Sequence, residues 1–148
     1  MKLFDPVQDD MDALAALHKD SFSPCWDGPA IASLLAGPGV FVHHLPGIGF
    51  VMTRVAADEA EILTIAVAPA ARARGHGRAL LAAASQEAHT RGATRLFLEV
   101  ATANQSALAL YRGFERAGMR KAYYAGDNGH DAWLMQVQLP LPPGRNIP

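Results

Sequence analysis

Disulfides are excluded first. Cys25 is the sole cysteine, so no bridge can close within the protein, a usage that fits a reducing compartment. An excess of one charge is also lacking. The 13 Lys and Arg against 14 Asp and Glu leave a formal net charge of −1. No global field draws such a protein to nucleic acid, and any polyanion site must be local. No apolar run is long enough to span a bilayer, and the start, Met1-Lys2-Leu3-Phe4-Asp5-Pro6, has no apolar signal segment. A cytoplasmic protein with neither a membrane nor a direct nucleic-acid partner is expected. Repeats and low-complexity tracts are missing. So are two common phosphate-binding signatures, G-x-G-x-x-G and G-x-x-x-x-G-K-[ST]. Metal-ligand spacing is missing as well. His43 and His44 are neighbours on an expected strand and point to opposite faces, and His18, His89 and His130 are scattered, so no metal site is expected.

What is present suits one domain with a real core. The chain has 148 residues, of which 50% are hydrophobic and 18% charged. Residues 1–139 read as that domain and residues 140–148 as a Pro-rich tail. The centre of organisation is the stretch from Glu61 to Arg78. Ile62 to Val67 reads as a buried strand, ended by Pro69. A short loop follows with Arg72, Arg74, Gly75 and Gly77, then an Ala- and Leu-rich helix. Such a turn leaves backbone N–H groups unpaired at the positive end of a helix, where an anion fits. The glycines let the backbone approach that anion, and Arg72, Arg74 and Arg78 add formal charge. A glycine-rich turn whose arginines serve only solubility is the plain alternative.

Taken in order, the sequence offers a short strand near Lys2–Phe4 and a helix over residues 9–20, capped by Asp9 or Asp10. Its apolar face is Met11, Leu14, Ala15, Leu17 and His18. A turn-rich segment, Ser21 to Gly28, holds Phe22 and Trp26, either as a binding loop or as plugs at the core edge. A second short helix with Pro29, Ile31, Leu34 and Leu35 stops at Gly37-Pro38. Residues 40–45 and 48–55 form a hairpin around Pro46-Gly47. After the central strand, a helix over about 77–91 ends at Gly92. Residues 94–100 form a strand that should lie parallel to the central one, through a right-handed crossover. A helical stretch runs from Asn104 to about Tyr111, and residues 114–124 and 132–139 read as two more strands. The expected fold class is α/β (α+β), a mixed sheet of about seven strands, mostly antiparallel with a parallel pair in the middle, and about four helices.

Arg72-x-x-Gly75-x-Gly77, placed after a strand and before a helix, resembles the R-x-x-G-x-G/A pyrophosphate motif of the GNAT acetyltransferases. Ile65-Ala66-Val67, Leu98-Glu99-Val100, Asn104, Ala109-Leu110-Tyr111, Gly113-Phe114 and Tyr123-Tyr124, in that order, resemble the RimI-type branch, which acetylates the N-terminal alanine of a small-subunit ribosomal protein. The resemblance covers about residues 2–139. It implies the GNAT fold, acetyl-CoA as cosubstrate, no metal, direct transfer in a ternary complex, and a monomer or weak dimer acting on a ribosomal-protein N-terminus. It also implies roles. The backbone of Ile65, Ala66 and Val67 pairs with the pantetheine arm. Ala73, Arg74, Gly75, His76, Gly77 and Arg78, with Arg72, form the pyrophosphate site. Asn104 bonds the pantetheine, Glu99 is the general base and Tyr111 the general acid.

The residues support part of this on their own. Asn104 and Tyr111 are seven apart, so on a helix they share a side about 10 Å apart along the axis. Glu99 lies near the C-terminal end of a parallel strand, where open α/β sheets place their ligands; an ion pair with Arg95 is the plain alternative. The chemistry is attack of a neutral amine on a thioester. An α-amine is neutral at pH 7 roughly a hundred times more often than a lysine, so a weak base working through one water suffices. A phenol near 10 giving its proton to a thiolate near 8.5 is uphill by about 2 kcal/mol, so Tyr111 is expected to act at least partly as a hydrogen-bond donor. One departure stands out. The family has Tyr-x-x-x-Gly-Phe, whereas Tyr111-Arg112-Gly113-Phe114 brings the Gly-Phe pair two residues early, so the helix must end sooner. Glu61 is a rival base, and Asp27, Asp58, Glu59, Glu61 and Asp127 could form an acidic mouth for a basic peptide. A small-molecule amine or a lysine as acceptor, and a non-catalytic CoA-binding module, are the alternative functions.

Overall fold

The computed structural model describes residues 1–22, 24–121 and 131–142. The expected Tyr123-Tyr124 pair, the loop 126–130 with Asp127 and His130, and most of the Pro-rich tail lie outside the described residues.

The protein runs through β1 (Lys2–Leu3), α1 (Met11–Lys19), α2 (Gly28–Leu35), β2 (Val40–Leu45), β3 (Gly49–Ala56), β4 (Glu59–Val67), a 3-10 turn (Pro69–Ala71), α3 (His76–Thr90), β5 (Arg95–Ala101), α4 (Gln105–Leu110), β6 (Glu115–Arg120) and β7 (Ala132–Gln138). The caps follow the sequence. The Asp10 carboxylate accepts from Asp12 N–H at 2.9 Å and starts α1. Asp27 does the same for Ala30 N–H at 2.9 Å and starts α2, with Pro29 in its first turn.

The seven strands form one sheet in the order β1-β2-β3-β4-β5-β7-β6. Among the described strands only the β4–β5 pair is parallel. β7 inserts between β5 and β6, so the antiparallel neighbour of β5 comes later in the sequence than β6. Helices cover both faces. Leu80, Leu81, Ala84 and Ala88 of α3 pack with Leu96, Leu98 and Val100 of β5 in one cluster. Leu14 and Leu17 of α1 and Ile31 of α2 pack with Val42, Phe50 and Met52 in the other.

A β-bulge in β4 positions the site. Met52 pairs with Thr64 and Thr53 with Ile62, which leaves Leu63 with no residue opposite. The extra residue shifts the alternation of side chains to the other face. Before it, Ala60 and Ile62 face the α3 cluster; after it, Ala66 faces the α1–α2 cluster while Ile65 and Val67 pack toward α3.

Candidate active site

β4 and β5 pair only through Glu59↔Arg95, Ala60↔Leu96 and Glu61↔Phe97. Past that point the strands part, and β4 has no strand partner on its β5 side. A cleft of about 500 Å³ opens in the gap, lined by residues 62–65 of β4, Leu98, Glu99, Val100 and Ala101 of β5, and Asn104, Ala107 and Tyr111. The gap joins the two faces of the sheet. Tyr111 belongs to the α3 cluster, whereas Glu99 alternates with Leu98 and Val100 and points to the α1–α2 face. On that side Ser21, Phe22, Pro24 and Trp26 close the cleft.

Beyond the C-terminal end of β4 the backbone turns into α3. Gly75 is the cap residue at φ 83°, and no side chain bonds the helix start. Ala73 is also left-handed, at φ 63°. The first helical bond is Ala79 N–H to Gly75 C=O at 3.1 Å, and no N–H of residues 73–78 donates to a described acceptor. A run of unpaired amides at the positive end of a 15-residue helix suits a diphosphate. These are the residues the glycine pattern singled out. Arg72 has a different place. Its Nε donates to Val67 C=O at 3.0 Å and its Nη2 to Ser21 Oγ at 3.2 Å. It fastens the loop to the end of β4 and to the segment after α1. Arg74 is exposed and Arg78 half-buried beside the helix start.

Asn104 is the cap of α4. Its Oδ1 accepts from Ala107 N–H at 3.1 Å, which leaves its amide NH2 for the cleft. α4 is only six residues long and Tyr111 is its C-cap. The early Gly-Phe pair is the reason. Gly113 turns at φ 93°, Phe114 N–H returns to Tyr111 C=O at 3.0 Å, and the Phe114 ring meets Tyr111 at 5.5 Å. The shortened helix therefore keeps Tyr111 in the cleft wall. Tyr111 is 4% exposed, and burial pushes its phenol well above the ordinary value of 10.0. At neutral pH it keeps its proton. It can donate a hydrogen bond, and giving the proton away is harder than the sequence alone suggested.

Glu99 is exposed and forms an ion pair with Arg120 of β6 at 2.5 Å. Arg95 is not its partner; that guanidinium pairs with Glu59. Glu61 is tied to Arg54, its cross-strand neighbour on β3, at 2.5 Å, and is not among the residues that line the cleft, whereas Glu99 is. Among the described residues the acidic mouth does not assemble either. Asp58 and Glu59 line a separate recess with Thr94 and Gln138, and Asp27 is occupied as the α2 cap. His43 and His44 are both buried and lie on opposite faces, against Phe41 and Phe4 respectively. Among the described residues no group of three His, Cys or carboxylate groups could hold a metal, and no described helix is long and apolar enough to cross a membrane.

Two features escaped the sequence. The Leu63 bulge carries no signal of its own in the mostly apolar run Ile62 to Val67. The Arg120–Glu99 contact depends on the register of β6 against β7, which no local pattern fixes.

A divided parallel pair over an uncapped glycine loop defines a class of acyl-transferring folds, and the chain belongs to the acetyltransferase (GNAT) family, which it matches over residues 12–114. It is 42% identical over 95 residues to the [ribosomal protein bS18]-alanine N-acetyltransferase of Salmonella typhimurium, a match over 62% of this chain and 64% of that protein. The match thus spans just under two thirds of the length of that relative. A Bacillus subtilis relative is 32% identical over 145 residues, 88% of this chain and 91% of its own. The crystal structure of the ribosomal-protein-S18-alanine N-acetyltransferase from Escherichia coli superposes with a TM-score of 0.79 at 31% identity, covering 95% of both proteins.

Proposed function

We propose that this protein is an acetyl-CoA-dependent N-α-acetyltransferase whose acceptor is the N-terminal amine, alanine by preference, of a ribosomal protein. The observation that carries the proposal is the gap between β4 and β5. It sets Glu99, Asn104 and Tyr111 around one opening beside β4, the strand that leads into the loop whose amides at residues 73–78 are unpaired. The similarity to alanine N-acetyltransferases supports the acceptor class.

The site fits acetyl-CoA. Residues 73–78 would hold the diphosphate, with Arg74 and Arg78 beside it. The free edge of β4 at Ile65, Ala66 and Val67 would bond the amide-bearing arm as an added strand, and the Asn104 NH2 would hold its middle. Bound there, acetyl-CoA supplies an activated acetyl thioester. The protein's own residues do the rest. Backbone N–H groups at the β4 edge polarise the carbonyl. Glu99 takes a proton from the incoming amine, directly or through one water, with Arg120 fixing its orientation. Tyr111 donates a hydrogen bond from its hydroxyl to the departing thiolate and keeps its proton. A weak base is enough for an α-amine, since its pKa is near 8. Phe22 and Trp26 face the amine from the α1–α2 side, so the acceptor enters from the face opposite the diphosphate.

The test is release of CoA with three acceptors: an alanine-starting ribosomal peptide, the same peptide with a blocked N-terminus and an internal lysine, and a set of small amines. Acetylation confined to the free α-amine is expected. Transfer only to the lysine or to small amines would replace the acceptor assignment. Acetyl-CoA binding without transfer to any of them would leave a non-catalytic CoA-binding module.

A further inference from the structure

One buried titratable group beside the cleft has no part in the chemistry above. His18, in the last turn of α1, is 2% exposed. Its ring lies between two aromatic rings, Phe22 at 4.4 Å and 25° and Trp26 at 4.6 Å and 11°. Its Nδ1 accepts the backbone N–H of Trp26 at 3.0 Å. Its backbone carbonyl oxygen accepts from Ser21 N–H at 3.1 Å and Phe22 N–H at 3.0 Å. A ring nitrogen that accepts an N–H carries no proton, so His18 is the neutral Nε2–H tautomer. Phe22 and Trp26 are at the same time cleft-lining residues on the α1–α2 side, and Phe22 is 38% exposed there.

We propose that neutral His18 is a positioning residue for the acceptor: it clasps Phe22 and Trp26 into the apolar wall on which the acceptor's first, small apolar side chain seats. The inference rests on the acetyltransferase assignment and adds to it what sets the wall in place. Trp26 stands in an irregular segment, outside any helix or strand ladder that would hold it. The imidazole supplies both a stacking plane for the two rings and an acceptor for a half-buried N–H that would otherwise be orphaned.

Protonation breaks the clasp. Imidazolium has no acceptor, so its Nδ1–H would confront the Trp26 N–H. Among the described residues no charged group stands against the ring to offset this. β3 presents Phe50 to it at 6.4 Å, the loop presents Phe22 and Trp26, and α2 begins with Asp27, whose carboxylate is bound to Ala30 N–H. On its own helix Lys19 and Asp20 are exposed, and Arg72 is held by Val67 and Ser21. Burial places the titration below 6.5, so the wall is intact at neutral pH and loosens in acid.

Two variants separate the ring from the acceptor atom. His18→Phe keeps the stack and loses the acceptor; His18→Asn keeps an acceptor and does not titrate. His18→Phe is expected to raise the acceptor-peptide KM about fivefold or more, with kcat and the acetyl-CoA KM within about twofold, and His18→Asn to recover part of the loss. A second readout needs no turnover. The protein has two tryptophans, so in a Trp133→Phe background the emission of Trp26 should show a transition below pH 6.5, absent when His18→Asn is added. An unchanged acceptor KM in folded His18→Phe, or an acid transition that persists in His18→Asn, overturns the clasp. If the parent acetylates no amine, the functional assignment fails by itself, and the emission transition still decides for or against the clasp.

Discussion

Glu99 and Tyr111 share one opening but occupy opposite environments. Glu99 is exposed and paired with Arg120, which suits a group that must hand protons to water. Tyr111 is buried among Phe114 and the α3 cluster, which suits a fixed neutral donor. Glu99→Gln should lower kcat by about 10- to 100-fold at pH 7, and the deficit should shrink above pH 8, where the α-amine loses its proton unaided. A deficit that is independent of pH would remove the base role. Tyr111→Phe should cut kcat while leaving the acetyl-CoA KM nearly unchanged. Because burial holds the phenol above 10, no loss of rate from Tyr111 ionisation should appear below pH 10. The identities and order of these residues were readable in the sequence, because the Leu-Glu-Val and Leu-Tyr patterns are local. The partners of Arg72 were not: Val67 C=O and Ser21 Oγ come together only when the loop folds back on β4.

At the scale of elements, two helix starts do different work. The α3 start needs its amides bare and its cap left-handed. Gly75→Ala places a Cβ at φ 83°, a strain of roughly 1 kcal/mol, and should raise the acetyl-CoA KM about fivefold. At Gly77 a Cβ would meet only Leu110 at 3.6 Å, so Gly77→Ala should keep both stability and KM. Equal effects at the two positions, read by isothermal titration with CoA, would contradict these roles for the loop glycines. The α4 start combines a cap with a ligand contact. Asn104→Ala should cost about 1 kcal/mol of stability as well as acetyl-CoA affinity. Asn104→Asp keeps the cap and loses the NH2, so its melting temperature should hold while its KM rises. The helix limits themselves followed from the sequence to within a residue or two, since caps and apolar periodicity are local. The bulge at Leu63 did not, because a mostly apolar strand looks the same with or without a skipped partner.

For the molecule as a whole, the three buried histidines among the described residues set the acid limit. His18, His43 and His44 are each held below the ordinary 6.5 by burial. The unfolded state takes these protons near 6.5 and the folded state only at lower pH. Between those points the unfolded state binds more protons, so stability rises with pH through the window and falls as pH drops below about 6.5. Urea midpoints should therefore be lower at pH 5 than at pH 7.5, and His43→Leu should flatten part of that slope. Equal midpoints at the two pH values would show that these rings are not buried neutral in solution.

The sequence by itself determined the family, the mixed sheet with its single parallel pair, the glycine loop and the names of the residues around the site, because each is written in short-range pattern: caps, periodicity, turn residues and a motif of fixed spacing. Only the tertiary structure decided that β4 and β5 part after Glu61 and Phe97, that Glu99 answers to Arg120 while Glu61 is taken by Arg54, and that His18 stands behind the aromatic wall. Those are matters of register and of contact between distant segments. A strand sequence specifies which residues share a face, but not where its neighbour lets go.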